Sequence, residues 1–207
     1  MAGHYESTAV RRRQIAEAAL AVIAEGGLGE FTTRAIAARL EITDGTIFRH
    51  FANKQEIVQA AMERLEEELF IELDPTADGW TQLEVLFRRR TRLLGGPDAI
   101  GRLVFSEQLV HAGGEAGLQK YREWRRRTHQ LVESRLHTLR VSGQARSDLP
   151  LATMARLFLG AMITFSNERI AFGGPLVDLD ARIDEVWTGL KQVLSPCGHP
   201  DGAVAST

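Results

Sequence analysis

An all-α fold is the architecture that this 207-residue sequence predicts. Apolar residues recur at helical spacing in nearly every segment, and no segment shows the sustained period-two alternation of a β-strand. Glycine- and proline-containing stretches interrupt these segments, as at Gly26-Gly27, Gly95-Gly96-Pro97 and Gly173-Gly174-Pro175. We therefore expect about nine helices separated by short loops.

The first four helices are expected within the first third of the chain. Helix one is predicted over Thr8–Glu25, because apolar residues recur on one face before the glycine pair. Two short helices, Thr33–Leu40 and Asp44 to about Phe51, flank a break, and Thr43 is placed to cap the second. The fourth begins at Asn53, which has capping-box spacing with Glu56, and continues towards Leu73.

Further helices are predicted in the remainder of the chain, at about 80–94, 97–112, 116–141, 150–172 and 178–194. The resulting division is residues 1–55 as a helix-turn-helix domain and residues 56–195 as a helical domain, with residues 196–207 as a mobile tail. The boundary falls within the fourth helix, so a rigid element is shared by both parts.

Composition narrows the class of protein. The hydrophobic fraction of 44% suits a globular core, and no apolar run is long enough to span a bilayer. The N-terminus lacks the apolar segment of a secretory signal, so a cytoplasmic location without membrane contact is expected. The single Cys197 excludes an internal disulfide and a cysteine-based metal cluster, and no cofactor is expected. A net charge of −2 still permits one local basic face for nucleic acid.

The second short helix has the character of a recognition helix. Ile47 and Phe51 lie four residues apart and are expected to pack inward, which turns Thr46, Arg49 and His50 largely outward. A short helix whose exposed face carries glycine, threonine, arginine and histidine suits close approach and hydrogen bonding. In a helix-turn-helix protein such a helix enters the DNA major groove.

The run AIAARLEITDGTIFRHFANKQEIV resembles the N-terminal DNA-binding domain of TetR-family (tetracycline-repressor-like) transcriptional regulators. That family's motif is Gly-Thr-aliphatic-aromatic-x-His-Phe followed by a lysine that opens the next helix; here its members are Gly45, Thr46, Ile47, Phe48, His50, Phe51 and Lys54. The resemblance covers roughly residues 10–60. It implies a DNA-binding regulator without enzymatic activity, and repression is the family's usual mode of action.

Specific DNA contacts follow from the resemblance and from side-chain chemistry. Thr33, Arg34, His50 and Lys54 are expected at phosphates, and the ring of Phe48 at the backbone. The remaining candidates are expected at or near base edges: Thr43, Thr46 and Arg49 by contact, and Gly45 by allowing close approach. Two alternatives stay open: Thr33 as a helix cap, and Arg11, Arg12 and Arg13 as either phosphate contacts or a solvated face.

Two residues depart from the family pattern. Phe48 stands where many members carry tyrosine, so a hydroxyl-to-phosphate bond is absent. Asp44 stands where a basic residue is common, and its carboxylate repels phosphates unless it caps the helix or accepts from a cytosine amino group. Both changes are expected to weaken or retune DNA binding.

The last two helices are predicted to form a homodimer interface. Their apolar stripes suit a four-helix contact between two subunits, and a two-fold axis would let two recognition helices read a palindromic operator. The alternative is that the stripes are consumed by the intramolecular core. The residues proposed for this interface are Leu157, Gly160, Ala161, Ile183, Trp187, Leu190 and Leu194.

By resemblance, the C-terminal domain also encloses a pocket for a small-molecule effector. Mixed aromatic and polar residues on the candidate helices are proposed to line it, namely Phe105, Gln108, His111, Trp124, His129, Phe165 and Asn167. The helix over residues 118–141 is strongly basic. With Arg88, Arg89, Arg90 and Arg92 it is a candidate nucleic-acid patch or anionic-ligand site, the alternative being a solvated face paired with glutamates.

Other classes of function find little support in the sequence. It has no HExxH, phosphate-loop, nucleophile-elbow, kinase or lactamase signature, and no Glu-x-x-His pair for a di-metal bundle. A helix-turn-helix adaptor that binds protein instead of DNA is the remaining alternative, and the intact Gly45–Lys54 motif disfavours it.

Overall fold

The computed structural model describes residues 7–70, 72–95, 107–172 and 178–196, and within these ranges the protein is helical and has no strand. The all-α prediction is confirmed. The helices in these ranges are α1 (Thr8–Gly26), α2 (Thr33–Arg39), α3 (Asp44–Phe48), α4 (Lys54–Leu69), α5 (Gly79–Gly95), α6 (Glu107–Ala112), α7 (Gly114–Val141), α8 (Leu151–Phe172) and α9 (Leu179–Leu194). None of them is both long and apolar enough to cross a bilayer.

Helices α1 to α4 share one core. Ile15, Ile36, Ile47, Phe51 and Ile57 are all buried, so each helix of the group contributes to the same cluster. Helix α1 begins after Ser7, whose side chain accepts from the backbone N–H of Val10, and ends at Gly27 with φ 75°. Because the apolar faces of these short helices meet here, the recognition helix is held by packing rather than by its own length.

The turn between α2 and α3 closes through backbone hydrogen bonds. The N–H of Ile42 donates to the carbonyl of Ala37 at 3.0 Å, and Leu40 donates to Ile36 at 3.2 Å. Glu41 occupies the left-handed region between them, with φ 54°. This is the C-terminal arrangement that glycine most often provides, so Glu41 holds the turn at a conformational cost.

Helix α4 is shorter than predicted. It ends at Leu69, four residues before the expected Leu73. The carbonyl of Leu69 accepts from Nε of Arg90 at 3.0 Å, so a side chain from α5 satisfies the group that a longer helix would have paired with a backbone N–H. Its start agrees with prediction, because Oδ1 of Asn53 accepts from the N–H of Glu56 at 2.9 Å.

A second core joins α5, α7, α8 and α9. The ring of Phe87 lies 5.7 Å from Phe158 and 5.6 Å from Trp187, measured between centroids. Four of the residues proposed for dimerisation, Ile183, Trp187, Leu190 and Leu194, are buried in this cluster. A side chain packed inside its own chain is not available to a partner. For these four residues the predicted dimer contact is therefore wrong, and the alternative, an intramolecular core, is correct.

Some predicted features lie outside the described residues. The helix expected at about 97–112 is described only over Glu107–Ala112, and Phe105 belongs to the part that is not described. The same holds for residues 197–207 of the expected tail.

Candidate DNA interface and effector cavity

Helix α3 packs one face against the core and exposes the opposite face to solvent. Ile47 is fully buried and Phe51 is 1% exposed, as the spacing predicted. Thr43, Asp44, Gly45 and Arg49 are exposed on the opposite side, next to Phe48, which is 51% exposed. The exposed ring of Phe48 is therefore available for contact with DNA sugars or thymine methyl groups.

A chain of hydrogen bonds orders the exposed face of α3. Oγ1 of Thr43 accepts from the N–H of Thr46 at 3.3 Å, which confirms that Thr43 caps the helix. The two threonine hydroxyls lie 3.1 Å apart, and Oγ1 of Thr46 accepts from Nη2 of Arg49 at 3.3 Å. The guanidinium of Arg49 is therefore held over α3 before any partner arrives, which lowers the entropy cost of a bidentate contact with guanine.

Glycine at position 45 is not required by packing within the chain. A Cβ built there would meet only Oγ1 of Thr43, at the ordinary distance of 3.8 Å. The absence of a side chain therefore leaves open space on the outer surface of α3. Such space suits the close approach of a phosphate backbone or base edge.

His50 lies beside α3 in a positive environment. Burial lowers its pKa, and the charges of Arg49, Arg11 and Arg12 lower it further. Its Nδ1 is buried and has no hydrogen-bond partner among the described residues. At neutral pH the imidazole is therefore mostly uncharged until an anion approaches.

The side chains of two arginines in α1 make contacts within the protein itself. The guanidinium of Arg12 donates to the carbonyl of His50 and lies 4.1 Å from the ring centroid of Phe51. Arg13 pairs with Glu17 at 3.1 Å. These contacts favour a structural role over phosphate binding for Arg12 and Arg13, and Arg12 in particular ties α1 to the end of the recognition helix.

The structure places the predicted phosphate contacts unequally. Thr33 is buried, and the cap of α2 is its neighbour Thr32, whose Oγ1 accepts from the N–H of Ala35 at 3.0 Å. The side chain of Thr33 is therefore not the cap, and that alternative is wrong. A phosphate contact at this helix end, through backbone N–H groups, stays a prediction. Arg34 and Lys54 are exposed at the first turns of α2 and α4, where helix N-termini favour anions.

The C-terminal part contains a cavity of about 320 Å³, within the size range of small-molecule sites. Of the predicted pocket residues, Trp124 and His129 line it and His111 does not; the side chains of Gln108, Phe165 and Asn167 are outside the description, as is Phe105. Among the described residues, the cavity is lined by Leu69, Arg90, Leu94, Tyr121, Trp124, Arg125, Arg126, Thr128, His129, Leu159, Met162 and Ile163.

Most members of the basic cluster of α5 and α7 are paired. The carboxylate of Glu66 forms ion pairs with Lys120 at 2.8 Å and with Arg127 at 2.6 Å, and Arg126 pairs with Glu123 at 2.6 Å. The interpretation as a paired, solvated face therefore fits these residues better than a second nucleic-acid patch.

Arg90 differs from the paired members of that basic cluster by its burial. It is buried on the cavity wall, and burial lowers its pKa to about 10, with the charge of Arg127 acting in the same direction. A signal for it exists in the sequence, because Leu83, Phe87, Arg90 and Leu94 follow helical spacing and place an arginine inside an apolar stripe.

The first helices form a helix-turn-helix unit, and α4 joins it to a helical part that contains the cavity. This two-part arrangement leaves separate regions for a DNA interface and a ligand site. Residues 15–61 match the family model described as bacterial regulatory proteins, tetR family. This stretch of the chain is thus similar to the DNA-binding domain of that family. Sequence comparison with curated proteins gives no match.

Solved structures share the fold across nearly the whole chain. The ketosteroid transcriptional regulator KstR2 of Mycobacterium tuberculosis is 22% identical, with a TM-score of 0.68 over 94% of this chain and 98% of that one. AibR in complex with isovaleryl coenzyme A and operator DNA is 18% identical, with a TM-score of 0.65 over 89% and 98%. A regulator from Saccharomonospora viridis in complex with choline is 21% identical, with a TM-score of 0.70 over 89% and 95%.

Proposed function

We propose that the protein is a homodimeric repressor that occludes a palindromic operator and is released when a small molecule enters the cavity. Residues 1–55 bind DNA in this proposal, and residues 56–195 hold the effector and form the dimer. The observation that carries it is the ordered Thr43–Thr46–Arg49 face of α3, on the same chain as a cavity whose wall reaches the end of α4. The complex of AibR with both a small molecule and operator DNA supports the same division of labour.

The direct test is a fluorescence-anisotropy titration against DNA from upstream of the protein's own gene, beside a scrambled duplex, at two salt concentrations. We expect tight, sequence-preferring binding that weakens with salt, at two chains per site. Weak binding that is equal for both duplexes and insensitive to salt would instead favour a helix-turn-helix adaptor that contacts protein.

The exposed sides of α8 and α9 support the dimer. Leu157 is 43% exposed and Val193 is 48% exposed. Gly160 and Gly189 are exposed as well, and a Cβ built on either would meet no atom within 4 Å. We define the dimer face as Leu157, Gly160, Ala161, Val186, Gly189 and Val193. Exposed apolar and glycine positions at three-four spacing on adjacent helices allow close helix–helix contact across a two-fold axis.

Helix α4 provides the connection between the cavity and the DNA-binding domain. Nε2 of Gln55 and Nε2 of Gln59 both donate to the carbonyl of Gly113, at 3.2 and 3.3 Å. Gly113 immediately precedes α7, and α7 supplies Tyr121 and Trp124 to the cavity wall. A displacement of α7 by a ligand therefore acts directly on the N-terminal half of α4.

A second contact between the same two helices lies further along α4. Partial burial favours the neutral form of Glu66 and is the largest single influence on its pKa. The hydrogen bonds from Lys120 and Trp124 and the charges of Lys120 and Arg127 together outweigh burial and hold the pKa of this carboxyl below its usual value. Glu66 is therefore ionised at neutral pH and pairs with α7. The two contacts together make independent movement of α4 and α7 costly, which is what coupling between two sites requires.

The double substitution Gln55→Ala with Gln59→Ala is expected to uncouple the two parts. In the unsubstituted protein, operator DNA should change hydrogen-exchange protection at the start of α7, because coupling between sites is reciprocal. In the double variant this change should disappear while DNA affinity stays within about threefold, since neither glutamine belongs to the proposed contact face. Gln144→Ala, at an exposed glutamine beyond the end of α7, is the matched control. If operator DNA still changes protection at the start of α7 in the double variant, the coupling runs through other contacts.

DNA binding is expected to strengthen as pH falls towards 6, through His50. The pKa of His50 lies below its usual 6.5 in the free protein, and a nearby phosphate would raise it in the complex. The complex therefore takes up a proton between the two pKa values, and each unit of difference is worth about tenfold in affinity. Anisotropy titrations between about pH 5.5 and 8 measure this slope. His50→Gln should flatten it and His129→Gln should not; equal slopes would remove His50 from the interface.

A further inference from the structure

The guanidinium of Arg90 is a buried charge whose contacts are all neutral. Arg90 is 9% exposed. Nε donates to the carbonyl of Leu69 at 3.0 Å, Nη2 donates to Oγ1 of Thr128 at 3.4 Å, and the ring centroid of Phe70 lies 4.9 Å away. Among the described side chains, no carboxylate forms an ion pair with it. The nearest charge that influences it belongs to Arg127 and has the same sign.

Its neighbours on α5 show the usual arrangement. Arg88 pairs with Glu84 at 2.7 Å and also contacts Asp184. Arg92 pairs with Asp180 at 2.8 Å. Both of these arginines lie near solvent and have carboxylate partners, whereas Arg90 lies in the apolar stripe and has none among the described residues. A buried cation without a counter-charge is costly, and a leucine or methionine would fill this stripe without that cost.

The rest of the cavity wall is mainly apolar. Leu94, Leu159 and Met162 line it together with the ring of Trp124, and Thr128 adds a hydroxyl beside Arg90. The wall therefore suits a ligand with an apolar body, and Arg90 offers a strong site for an anionic group of that ligand. Shared fold alone does not predict this charge, because the solved relatives with ligands include one with choline, a cation, and one with an acyl-coenzyme A thioester.

We propose that Arg90 is the anion-binding residue of the cavity, and that the effector is an amphipathic molecule whose apolar body packs against Trp124 and Met162 while its carboxylate or phosphate pairs with Arg90. This inference rests on the proposed function of the cavity as the effector site. Two sources share the chemistry, a free carboxylic acid and a phosphate-bearing acyl thioester. Arg125 and Arg126 are exposed at the cavity edge, where they can meet further phosphates of the second source.

The test uses probes with one apolar body and different charges. Octanoate, octanol and octylammonium are titrated into the full-length protein without DNA, with tryptophan fluorescence and calorimetry as readouts, and octanoyl-coenzyme A forms a separate arm. Octanoate is expected to bind about 10- to 100-fold more tightly than octanol, as for a hydrogen bond to a charged group, and octylammonium more weakly than octanol. Octanoyl-coenzyme A binding more tightly than octanoate, and depending on Arg90, would identify the thioester as the source.

Arg90→Met keeps the volume of the side chain and removes its charge. In this variant the preference for octanoate over octanol should fall to about twofold or less, whereas Arg92→Met, on the same helix, should keep it. A purely structural Arg90 would instead lower the melting temperature when replaced and leave the preference unchanged. We expect the melting temperature of unliganded Arg90→Met to be equal or higher, because an uncompensated buried charge is removed.

Several outcomes would overturn the proposal: no binding of octanoate, equal binding of octanoate and octanol, or an acid preference that survives in Arg90→Met. Because these titrations contain no DNA, they are independent of operator binding. Octanoate that binds through Arg90 without releasing operator DNA would leave the anion site standing and would count against the proposed effector function instead.

Discussion

Leu157→Arg is expected to convert the protein to a monomer and to lower operator affinity by about 10²–10⁴-fold, because two linked half-site contacts become one. Leu157 is 43% exposed on the dimer face, beside the open surface at Gly160. An arginine there places two like charges close to the two-fold axis, where burial makes their repulsion strong. Sedimentation velocity measures the first effect, and anisotropy with a full palindrome measures the second.

Val85→Arg is the matched control for this substitution. Val85 is also an exposed apolar side chain, at 46%, but it lies on α5 outside the dimer face. Val85→Arg should leave both the dimer mass and the operator affinity unchanged. If Leu157→Arg remains dimeric and binds the palindrome normally, the two-fold contact is made by another surface and the dimer face proposed here is wrong.

Arg49→Ala is expected to reduce operator affinity by about 10- to 100-fold and to reduce the preference for operator over scrambled DNA. The reason is that Arg49 is exposed and its guanidinium is held over α3 by the hydrogen bond to Thr46, in place for a base edge. Competition titrations with operators substituted one base pair at a time would show the preference lost at one position in each half-site.

Lys54→Ala provides the comparison for Arg49. Lys54 is exposed at the first turn of α4, away from the hydroxyl chain of α3. Its loss should weaken binding to all sequences alike and should lower the salt slope by about one phosphate contact. If Arg49→Ala gives the same pattern as Lys54→Ala, then Arg49 contacts only phosphate and base reading belongs to Thr43 or Thr46.

The DNA-binding domain could be predicted in detail because its signals are local. The cap at Thr43, the inward spacing of Ile47 and Phe51, and the cap at Asn53 each depend on residues within one or two helical turns. The side-chain environment of Thr33 shows the limit of such local signals. Its burial depends on how α2 sits in the four-helix core, and nothing within α2 itself indicates it.

The dimer stripe of α9 shows a different limit. The spacing of Ile183, Trp187 and Leu190 correctly indicates a buried face. An amphipathic pattern shows that a face is covered, but it does not show whether the cover is the same chain or a partner. Gly189 and Val193 are exposed and Val186 is half-buried, so these positions of α9 remain available for the proposed dimer contact.

Arg90 was grouped in the sequence with its basic neighbours, because adjacent arginines on a helix usually form one solvated patch. Only the fold separates them, by turning Arg88 and Arg92 towards Asp184 and Asp180 and Arg90 into the cavity. Helical spacing with Leu83, Phe87 and Leu94 was the available signal.

The contact of Arg90 with the last carbonyl of α4 has a mechanical consequence. Helix α4 contains 16 residues, which makes it a rod of about 24 Å with Lys54 at one end and Leu69 at the other. A tilt of about 5° around the Leu69 end would displace the Lys54 end by about 2 Å, and a two-fold axis would double that to about 4 Å between subunits. Successive major grooves on one side of DNA are about 34 Å apart. A change of about 4 Å in the spacing between subunits is enough to misplace side chains whose hydrogen bonds tolerate only tenths of an ångström. If an anionic effector pairs with Arg90 as proposed, a lever of this length would let that one ion pair, formed beside the pivot, decide whether both half-sites can be read at once.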